Sequence, residues 1–398
     1  MSESQAQART QERPAVVIVR GHQANPWELR PWLEPPLSER YAVSFLRSGR
    51  GWFDTASVPL ASRRVWTLRD LLPPGKLGDL AVRAPGDRYL GLRGALRGAQ
   101  IVHSQELGYW YSMQAARLKA SLGFRLVLTV WETIPLLDAY RNVRTRAYRR
   151  QTIAATDLFL AATERARTAL LLEGVPAERV QVCPPGVATD RFGVGRTTRA
   201  AAEPPLIISP GRLVWEKGHQ DVMRAVALMR DAQRNSDDAA ARTVRLCIVG
   251  SGPEERRLRE YARELGIADA IEFRGFIPYE EMPAVYAGAA CMVLASLSTW
   301  SWEEQFGMVL AEAMAAGTPI LASRSGAIPE VTGTAARHFA PGDWPALAQL
   351  LHEQLTQPDD PTRVAAAQSH SQIYSTGAAA ERVAAAYDGL LGDANANG

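Results

Sequence analysis

Short, continuously apolar runs recur along this chain, and segments with helical spacing separate them. Residues 15–19 (AVVIV) and 206–209 (LIIS) have the composition of central strands in a parallel sheet, which are buried on both faces. Other strand candidates are residues 41–46, 57–60, 65–70, 101–102, 124–130, 156–162, 180–183, 244–249, 271–273, 290–295 and 320–323. Strands that alternate with helices predict an α/β fold with parallel sheets.

The chain also divides into two parts. Residues 193–204 are rich in Gly, Thr, Ala and Pro and have no apolar period, which is typical of a linker. We therefore predict two α/β domains, over residues 14–192 and 205–372, joined by that linker. A last Ala-rich amphipathic helix, residues 377–391, is a candidate to pack back on the first domain.

Composition excludes several classes of protein. A net charge of +3 over 398 residues is too weak to argue for a nucleic-acid partner. Cys183, Cys247 and Cys291 lie in apolar surroundings without C-x-x-C spacing, which predicts reduced thiols and a cytoplasmic protein. No apolar run approaches 18 residues and the first 13 residues are polar, so neither a membrane span nor a secretory signal is expected.

The stretch WEEQFGMVLAEAMAAGTPI, residues 302–320, carries the strongest chemical signal. Apolar residues recur at helical spacing after Gly307, and Gly317 ends the predicted helix. Residues 306–309 would then present free N–H groups at a helix N-terminus, which suits a phosphate. Glu304 lies before this site and Glu312 lies within the helix. The alternative is a capped surface helix with two solvated acids.

A second chemical signal is the basic segment PGRLVWEKG at residues 210–218, which follows the strand at 206–209. Arg212 offers a planar fork and Lys217 a point charge, and together they could neutralise a diphosphate. Only three of the 45 basic residues are lysines, so a lysine at this position is informative. The alternative is a basic turn before a helix.

These segments together resemble the retaining glycosyltransferases of family 4, also called group 1. Glu304 and Glu312 match the family's E-x7-E motif, and residues 211–218 match its G-R-L-x-x-x-K-G element. The turns at 250–253 (GSGP), 326–331 (GAIPEV) and 184–192 (PPGVATDRF) follow in the expected order. The resemblance is strong over residues 205–332 and loose over 14–192.

The resemblance implies a GT-B fold, in which two Rossmann-like domains face each other across a cleft. It implies transfer of a sugar from a nucleotide diphosphate sugar to a hydroxyl of a glycan, a lipid-linked or a small-molecule acceptor, with retention of configuration. It implies no cofactor and no metal, because two cations and a helix end would stabilise the leaving diphosphate. The leaving phosphate itself would take the acceptor's proton.

Roles follow residue by residue from the resemblance. The reacting set would be Arg212, Lys217, Glu304 and His103. The donor would contact Gly21, Gly211, Gly250, Phe276, Ile277, Phe306, Gly307, Met308, Val309 and Glu312. The acceptor would contact Gln105, Glu106, Trp131 and Glu132.

The chain departs from the family pattern in its first half. It has the single glycine Gly21 where the family has two, and Gln105 replaces the second histidine of an H-x-H-E stretch. Each first-half residue therefore has an alternative interpretation: an ordinary turn at Gly21, a strand-end histidine at His103, and a packing tryptophan with a capping acid at Trp131 and Glu132. For Phe276 and Ile277 the alternative is core packing.

Five arginines fall within the ten residues from Arg141 to Arg150. On a helix they would form a broad positive face that could meet anionic lipid headgroups at a membrane periphery, or an acidic acceptor. The alternative is a solvated helix face. Two other functions stay open for the whole chain: a non-catalytic sugar-nucleotide binding protein, and another GT-B enzyme such as a sugar-nucleotide epimerase.

Overall fold

The structure is a computed structural model that describes residues 13–51, 53–73, 75–83, 86–137, 143–193, 204–234, 244–357 and 360–396. Most of the predicted linker, residues 194–203, lies outside the described residues, as do Arg141 and Asn142 of the arginine-rich run.

The first half of the chain forms a parallel sheet of seven strands in the order β3-β2-β1-β4-β5-β6-β7. The order reverses direction at β1, whose neighbours are β2 and β4. These strands are β1 Ala15–Val19, β2 Ala42–Arg47, β3 Ala61–Arg64, β4 Ile101–Gln105, β5 Arg125–Val130, β6 Leu158–Ala161 and β7 Val180–Val182.

The second half forms a parallel sheet of six strands in the order β10-β9-β8-β11-β12-β13. Here the order reverses at β8, between β9 and β11. These strands are β8 Leu206–Pro210, β9 Arg245–Val249, β10 Ile271–Arg274, β11 Cys291–Leu294, β12 Ile320–Ser323 and β13 Ala336–Phe339. Two parallel sheets confirm the predicted α/β class.

Helices connect the strands of both sheets. In the first half they are α1 Leu37–Arg40, α2 Lys76–Arg83, α3 Leu92–Ala95, α4 Trp110–Leu122, α5 Val143–Ala155, α6 Glu164–Leu172 and α7 Thr189–Phe192. In the second half they are α8 His219–Arg234, α9 Glu255–Glu264, α10 Met282–Ala287, α11 Met308–Ala316, α12 Ile328–Thr332, α13 Trp344–Thr356, α14 Pro361–Ser371 and α15 Thr376–Ala396.

Two strand predictions are wrong. Residues 57–60 form turns, and the edge strand β3 begins one residue later with four exposed residues. Residues 65–70 contain a single bridge at Thr67 and the start of a 3₁₀-helix, Arg69–Leu71. An edge strand that buries nothing needs no apolar residues, so hydrophobic pattern misplaces it.

Helix α15 crosses from the second half of the chain to the first. Its Ala380, Val383 and Tyr387 belong to the same buried cluster as Ile18 of β1 and Trp32. The indole Nε1 of Trp32 donates a hydrogen bond to the Tyr387 hydroxyl at 3.2 Å. The first sheet is therefore covered on one face by the last of the described helices. None of the described helices is both long enough and apolar enough to span a bilayer.

Candidate active site

The two strongest sequence motifs meet at the carboxyl ends of β8 and β11. Arg212 and Lys217 follow β8, while Glu304 lies in the loop between β11 and α11. The two strands are neighbours at the point where strand order reverses, which is where open α/β sheets bind ligands.

Lys217 and Glu304 form an ion pair there. The Lys217 Nζ lies 2.6 Å from Oε2 of Glu304, and the side chains are 15% and 8% exposed. Ser296 Oγ donates to the same oxygen at 2.6 Å, and the Lys217 ammonium lies 5.2 Å from the centre of the Trp302 ring. Ser296 and Trp302 were not among the predicted site residues, because only the folded loop brings them to Glu304.

Two glycines let the surrounding loops approach closely. Gly250 (φ 138°) lies against Gly211, and a Cβ at Gly250 would sit 2.0 Å from the Gly211 carbonyl oxygen. Gly326 (φ 54°) lies under Glu304, and a Cβ there would sit 2.1 Å from the Glu304 carbonyl oxygen. Side chains at these positions would clash with backbone, so both motif glycines shape the site.

A buried histidine fixes the loop that carries Arg212. His219 Nε2 lies 3.2 Å from the Arg212 carbonyl oxygen, and its Nδ1 lies 2.9 Å from Ser209 Oγ. Burial lowers the pKa of His219 to about 4, so the ring is neutral at pH 7. Its Nε2–H can therefore donate to the carbonyl while the Arg212 side chain stays exposed. Sequence pattern gave no signal for this role.

Glu312 lies deeper than Glu304, on helix α11. It is buried and accepts a hydrogen bond of 2.8 Å from the Tyr286 hydroxyl. Burial raises the pKa of Glu312 to about 7, although the Tyr286 hydrogen bond opposes the shift. Helix α11 begins after Gly307 (φ 80°), and Leu310 N donates to the Gly307 carbonyl. The N–H groups of Met308 and Val309 thus form its first turn.

Phe306 lies two residues before the first residue of α11. It precedes the Gly307 cap, and its ring is buried, with centroids 6.2 Å from Trp131 and 5.2 Å from Tyr374. Trp131 belongs to the first domain, so Phe306 is part of the contact between the two domains.

His103 lies on β4 of the first sheet, whereas Lys217 and Glu304 belong to the second domain. Its ring is fully buried, with Nδ1 2.5 Å from the Tyr387 hydroxyl and Nε2 2.7 Å from Thr129 Oγ1. Burial lowers the pKa of His103 well below its usual range, and nearby Arg20 lowers it further. Both ring nitrogens are therefore occupied by protein groups.

The four predicted acceptor residues do come together. Gln105, Glu106, Trp131 and Glu132 line one cavity of about 270 Å³, which Gln305 of the second domain also lines. Glu106 Oε1 accepts from the Trp131 backbone N–H at 2.7 Å, and burial raises the pKa of Glu106 to about 8.

Glu132 has two roles in this cavity. Its Oε1 accepts from the backbone N–H groups of Thr133 and Ile134 at 2.9 and 2.8 Å, as a capping acid does. Its Oε2 lies 3.4 Å from Gln305 Nε2 of the other domain. The capping role of Glu132 is thus compatible with its place in the cavity wall.

The remaining donor positions lie elsewhere around the interface. Phe276, 67% exposed, lies in the wall of a cavity of about 600 Å³ between the domains, and Ile277 packs against the core. Gly21 (φ 61°) lies against Tyr111, and a Cβ would sit 2.5 Å from its ring. Gly211 lies beside the Lys217 side chain.

Polar contacts join the two domains outside the predicted site. Arg165 of α6 forms a bidentate pair with Glu303, with Nε–Oε1 and Nη2–Oε2 distances of 2.5 and 2.8 Å. Glu330 of α12 accepts from the N–H groups of Glu164 and Arg165 at 2.6 and 3.2 Å. A carboxylate is stabilised at a helix N-terminus, and Glu330 occupies that position at α6.

The arginine-rich run is not one uniform face. Arg149 is buried and pairs with Glu173, whereas Arg146 and Arg150 are exposed. The side chain of Arg144 lies outside the described residues, as does all of Arg141.

Comparison with known proteins places this geometry in context. In sequence, the chain is 29% identical over 265 residues to the GDP-mannose-dependent alpha-(1-6)-phosphatidylinositol monomannoside mannosyltransferase of Mycobacterium tuberculosis, covering 64% of this chain and 58% of that protein. It is 30% identical to the 2-deoxystreptamine glucosyltransferase of Streptomyces kanamyceticus, covering 60% and 61%. It is 32% identical to the D-inositol 3-phosphate glycosyltransferase of Corynebacterium jeikeium, covering 64% and 62%. The chain thus spans about three fifths of the length of these relatives.

Solved structures share the fold over nearly the whole chain. Sucrose-phosphate synthase from Thermosynechococcus elongatus superposes with a TM-score of 0.74 at 19% identity, covering 96% of this chain and all of that one. Anabaena HepE in complex with UDP superposes with a TM-score of 0.72 at 17% identity, covering 94% and 100%. These likenesses confirm the GT-B arrangement of two Rossmann-like domains.

Two family models match successive parts of the chain. The model of Glycosyltransferase Family 4 matches residues 37–191, and the model of Glycosyl transferases group 1 matches residues 196–370. The first match covers β2 to β7 and the second covers all six strands of the second sheet, and the second match contains the motifs at Arg212, Lys217, Glu304 and Glu312. The chain therefore belongs to the family 4, group 1 glycosyltransferases.

Proposed function

We propose that this protein is a retaining, metal-independent glycosyltransferase that moves a sugar from a nucleotide diphosphate sugar to a hydroxyl acceptor. The observation that carries the proposal is the Lys217–Glu304 pair at the carboxyl ends of β8 and β11. A cation and a carboxylate that share one hydrogen bond can bind adjacent parts of a sugar diphosphate. The cation would bind phosphate and the carboxylate would bind sugar hydroxyls.

Departure of the diphosphate builds negative charge, and three groups would stabilise that charge where it develops. The exposed Arg212 guanidinium can bind two phosphate oxygens at once, and Lys217 adds a second positive charge. The N–H groups of Met308 and Val309 in the first turn of α11 add the positive end of the helix dipole. These groups are the basis for proposing that no metal is needed.

The two motif acids would hold the donor at two points. Glu304, already oriented by Ser296 and Lys217, would bind sugar hydroxyls and fix the anomeric carbon. Glu312 would bind the ribose hydroxyls, and Tyr286 would orient its carboxyl group. Gly307 leaves room for the diphosphate to approach the start of α11.

We infer retention through attack on the face from which the diphosphate leaves, with the leaving phosphate taking the acceptor's proton. No side chain is then required as general base. His103 is not given a reacting role in this scheme, because Thr129 and Tyr387 already bond both of its ring nitrogens.

The named relatives differ in substrates. HepE was solved with UDP, whereas the mycobacterial relative is named for GDP-mannose. Acceptors in the relatives' names range from a phosphatidylinositol mannoside to inositol phosphate and 2-deoxystreptamine. The nucleotide and the acceptor therefore have to be found by experiment. We place the reaction in the cytoplasm, since the three cysteines are free and buried.

The test of donor binding is thermal unfolding with UDP, GDP, ADP and dTDP. A nucleotide at roughly 100 times its dissociation constant stabilises the folded state by about 2.7 kcal/mol. One nucleotide should stabilise the wild-type protein but not Lys217→Ala. The matched control is Arg256→Ala, which removes a cation from the exposed face of α9 and should keep the response.

The test of reaction uses the sugar derivatives of that nucleotide. Release of the nucleotide that EDTA does not affect, together with an α-linked product from an α-linked donor, would support the proposal. Loss of activity with EDTA would contradict metal independence. A product of inverted configuration would contradict retention. Nucleotide binding without release under any acceptor would support a sugar-nucleotide binding protein instead.

A further inference from the structure

Residues 47–97 lie along the β3 edge of the first sheet and carry a concentrated positive charge. They contain ten basic and four acidic residues, which gives a net charge of +6. The whole chain has a net charge of +3, so the rest of it has a net charge of −3. The positive charge of this protein is therefore gathered at one edge of the first domain.

The same edge exposes apolar side chains. Thirteen large apolar side chains are exposed among the described residues, and five of them fall between residues 66 and 90. These five are between 39% and 79% exposed: Trp66, Leu71, Leu77, Leu80 and Leu90. Apolar residues scattered singly over a surface need no explanation, but a group of them marks an interaction site.

Helix α2 presents apolar residues to solvent as well as to the protein. Leu77 and Leu80 are three positions apart, so they share one face of the helix, and both are exposed. Gly78 and Val82 are buried on the side toward the domain, and a Cβ at Gly78 would sit 2.2 Å from the Pro73 carbonyl oxygen. A surface helix normally has one apolar face, and α2 has a second that faces solvent.

Arginines surround the exposed tryptophan of this edge. The Arg64 guanidinium lies 4.5 Å from the centre of the Trp66 ring, and the neighbouring Arg63 is also exposed. Leu90 N donates to the Trp66 carbonyl at 2.7 Å, which places Leu90 beside the tryptophan. No carboxylate among the described residues lies within 4 Å of either guanidinium group, so both cations are available to a ligand.

The 3₁₀-helix that contains Leu71 connects this group to α2. The exposed Arg50 donates from Nη1 to the carbonyl oxygens of Arg69 and Leu72, on either side of Leu71. Helix α2 packs against the same 3₁₀-helix. The exposed residues of this edge therefore form a continuous region, which we call the arginine–leucine surface: Arg50, Arg63, Arg64, Trp66, Leu71, Leu77, Leu80 and Leu90.

We propose that the arginine–leucine surface binds a membrane that contains anionic lipids. Leucine and tryptophan side chains enter the boundary between headgroups and acyl chains, while arginines beside them bind lipid phosphates. A second copy of this chain fits less well, because two copies of the surface would repel each other. A nucleic acid would bind the arginines but has no apolar layer to receive the leucines.

This inference goes beyond the proposed transfer reaction and does not depend on it, because no nucleotide or sugar takes part. It also differs from a contact through the arginine-rich run at residues 141–150. In that run Arg149 is buried against Glu173, and the described side chains include no exposed leucine or tryptophan.

The test is sedimentation of the full chain with lipid vesicles. Vesicles of phosphatidylcholine alone are compared with vesicles that also contain phosphatidylglycerol. The partition coefficient should be at least about ten times higher for the anionic vesicles, since two or more arginines contribute. It should fall when salt is raised from about 0.1 M to about 1 M, because salt screens exposed charges.

Paired variants assign the charge contribution. Arg63→Gln combined with Arg64→Gln should lower the partition coefficient by roughly 30-fold, since each basic residue near an anionic surface contributes about 1 kcal/mol. The charge-matched control combines Arg256→Gln with Arg257→Gln on the exposed face of α9 and should bind like the wild-type protein.

A second pair assigns the apolar contribution. Leu77→Ser combined with Leu80→Ser should lower the partition coefficient by at least about tenfold, because a polar side chain gains nothing from the acyl boundary. Leu172→Ser combined with Leu228→Ser removes two exposed leucines from α6 and α8 and should leave binding unchanged. All four leucines are exposed, and thermal unfolding shows whether each variant is folded.

Three outcomes would overturn the inference. The first is no binding to anionic vesicles, or equal binding to both kinds of vesicle. The second is binding that survives the Leu77 and Leu80 substitutions, or that is lost with Arg146→Gln and Arg150→Gln in the arginine-rich run instead. The third is binding of a single-stranded oligonucleotide without binding of vesicles. None of these outcomes affects the nucleotide response, so the transferase proposal is tested separately.

Discussion

The two domains differ in the charged side chains at their proposed substrate sites. On the second domain, Lys217 and Glu304 are paired, and Arg212 adds a cation that is open to solvent. On the first domain, Glu28, Glu106 and Glu132 line a cavity together with Arg149, which pairs with Glu173 and whose charge also acts on Glu106. The second domain therefore offers a solvent-exposed cation to the proposed anionic donor, whereas the cavity of the first domain is lined by more carboxyl groups than cations among the described residues.

Lys217→Ala tests the charge difference between the two domains, and we expect the largest effect from this variant. Removing one preorganised donor from a site of developing negative charge typically costs about 10²–10³ in rate. We expect a loss of that order in the rate of nucleotide release, with the protein still folded. Arg256→Ala should match the wild-type rate. A Lys217→Ala rate within a few-fold of wild type would mean that the second domain is not prepared for phosphate as described.

Glu312→Gln tests the second domain through the pH dependence of its free energy of unfolding. The pKa of Glu312 is about 7 in the folded protein and 4.5 in a model peptide, so between these values the folded state keeps a proton that the unfolded state has released. The free energy of unfolding should therefore fall as pH rises from 4.5 to 7, by about 3 kcal/mol from this group, since one pKa unit corresponds to about 1.4 kcal/mol.

The measurement is urea unfolding of both proteins between pH 4.5 and 8. The variant should show a flatter dependence than wild type, whatever its absolute stability. Identical slopes for the two proteins would show that the Glu312 carboxyl is not held in its neutral form, and that the second domain keeps a charge in its core.

His103→Ala tests whether the first domain uses this residue for stability. Truncation removes the His103 hydrogen bonds of Thr129 Oγ1 and of the Tyr387 hydroxyl, which keeps only the bond from Trp32 Nε1, at a cost of about 1 kcal/mol or more for each lost bond. The unfolding midpoint should fall by the equivalent of ~2 kcal/mol or more, while the nucleotide response stays. His352→Ala, on the exposed side of α13, is the control. A stable variant without activity would restore a reacting role for His103.

The smallest effect is expected where the two domains touch. Arg165→Gln and Glu303→Gln, singly and together, form a double-mutant cycle for the interdomain ion pair. The Arg165 side chain is 50% exposed, so the coupling free energy should be at most ~1 kcal/mol. Urea unfolding of the four proteins gives this number. A coupling of several kcal/mol would show that the domains are held far more rigidly than this exposed pair implies.

Local pattern was sufficient for most of the fold. The buried strands, such as β1 and β8, consist of apolar residues, and Gly317 marks a helix end that the structure shows (φ 68°). The strand β3 could not be found in this way, because all four of its residues are exposed. A hydrophobic pattern marks the residues that an element buries, so it gives no signal for a strand whose residues are all exposed.

The candidate site was less accessible to sequence reasoning. The motif residues were found because their order along the chain is characteristic, but Ser296 and Trp302 carry no signal of their own. His103 illustrates the limit most clearly: the residue that encloses it, Tyr387, is 284 positions further along the chain. Whether a strand-end histidine faces solvent or protein depends on such distant partners.

The return of α15 to the first domain has a consequence for biosynthesis. Translation runs from the N-terminus, so the ribosome has made the whole of the second sheet before Ala380, Val383 and Tyr387 leave the exit tunnel. Until then the apolar surface around Ile18 and Trp32 has no cover. The first domain is thus completed only after the second sheet has been synthesised, and its exposed face is open to chaperones and to aggregation during that interval.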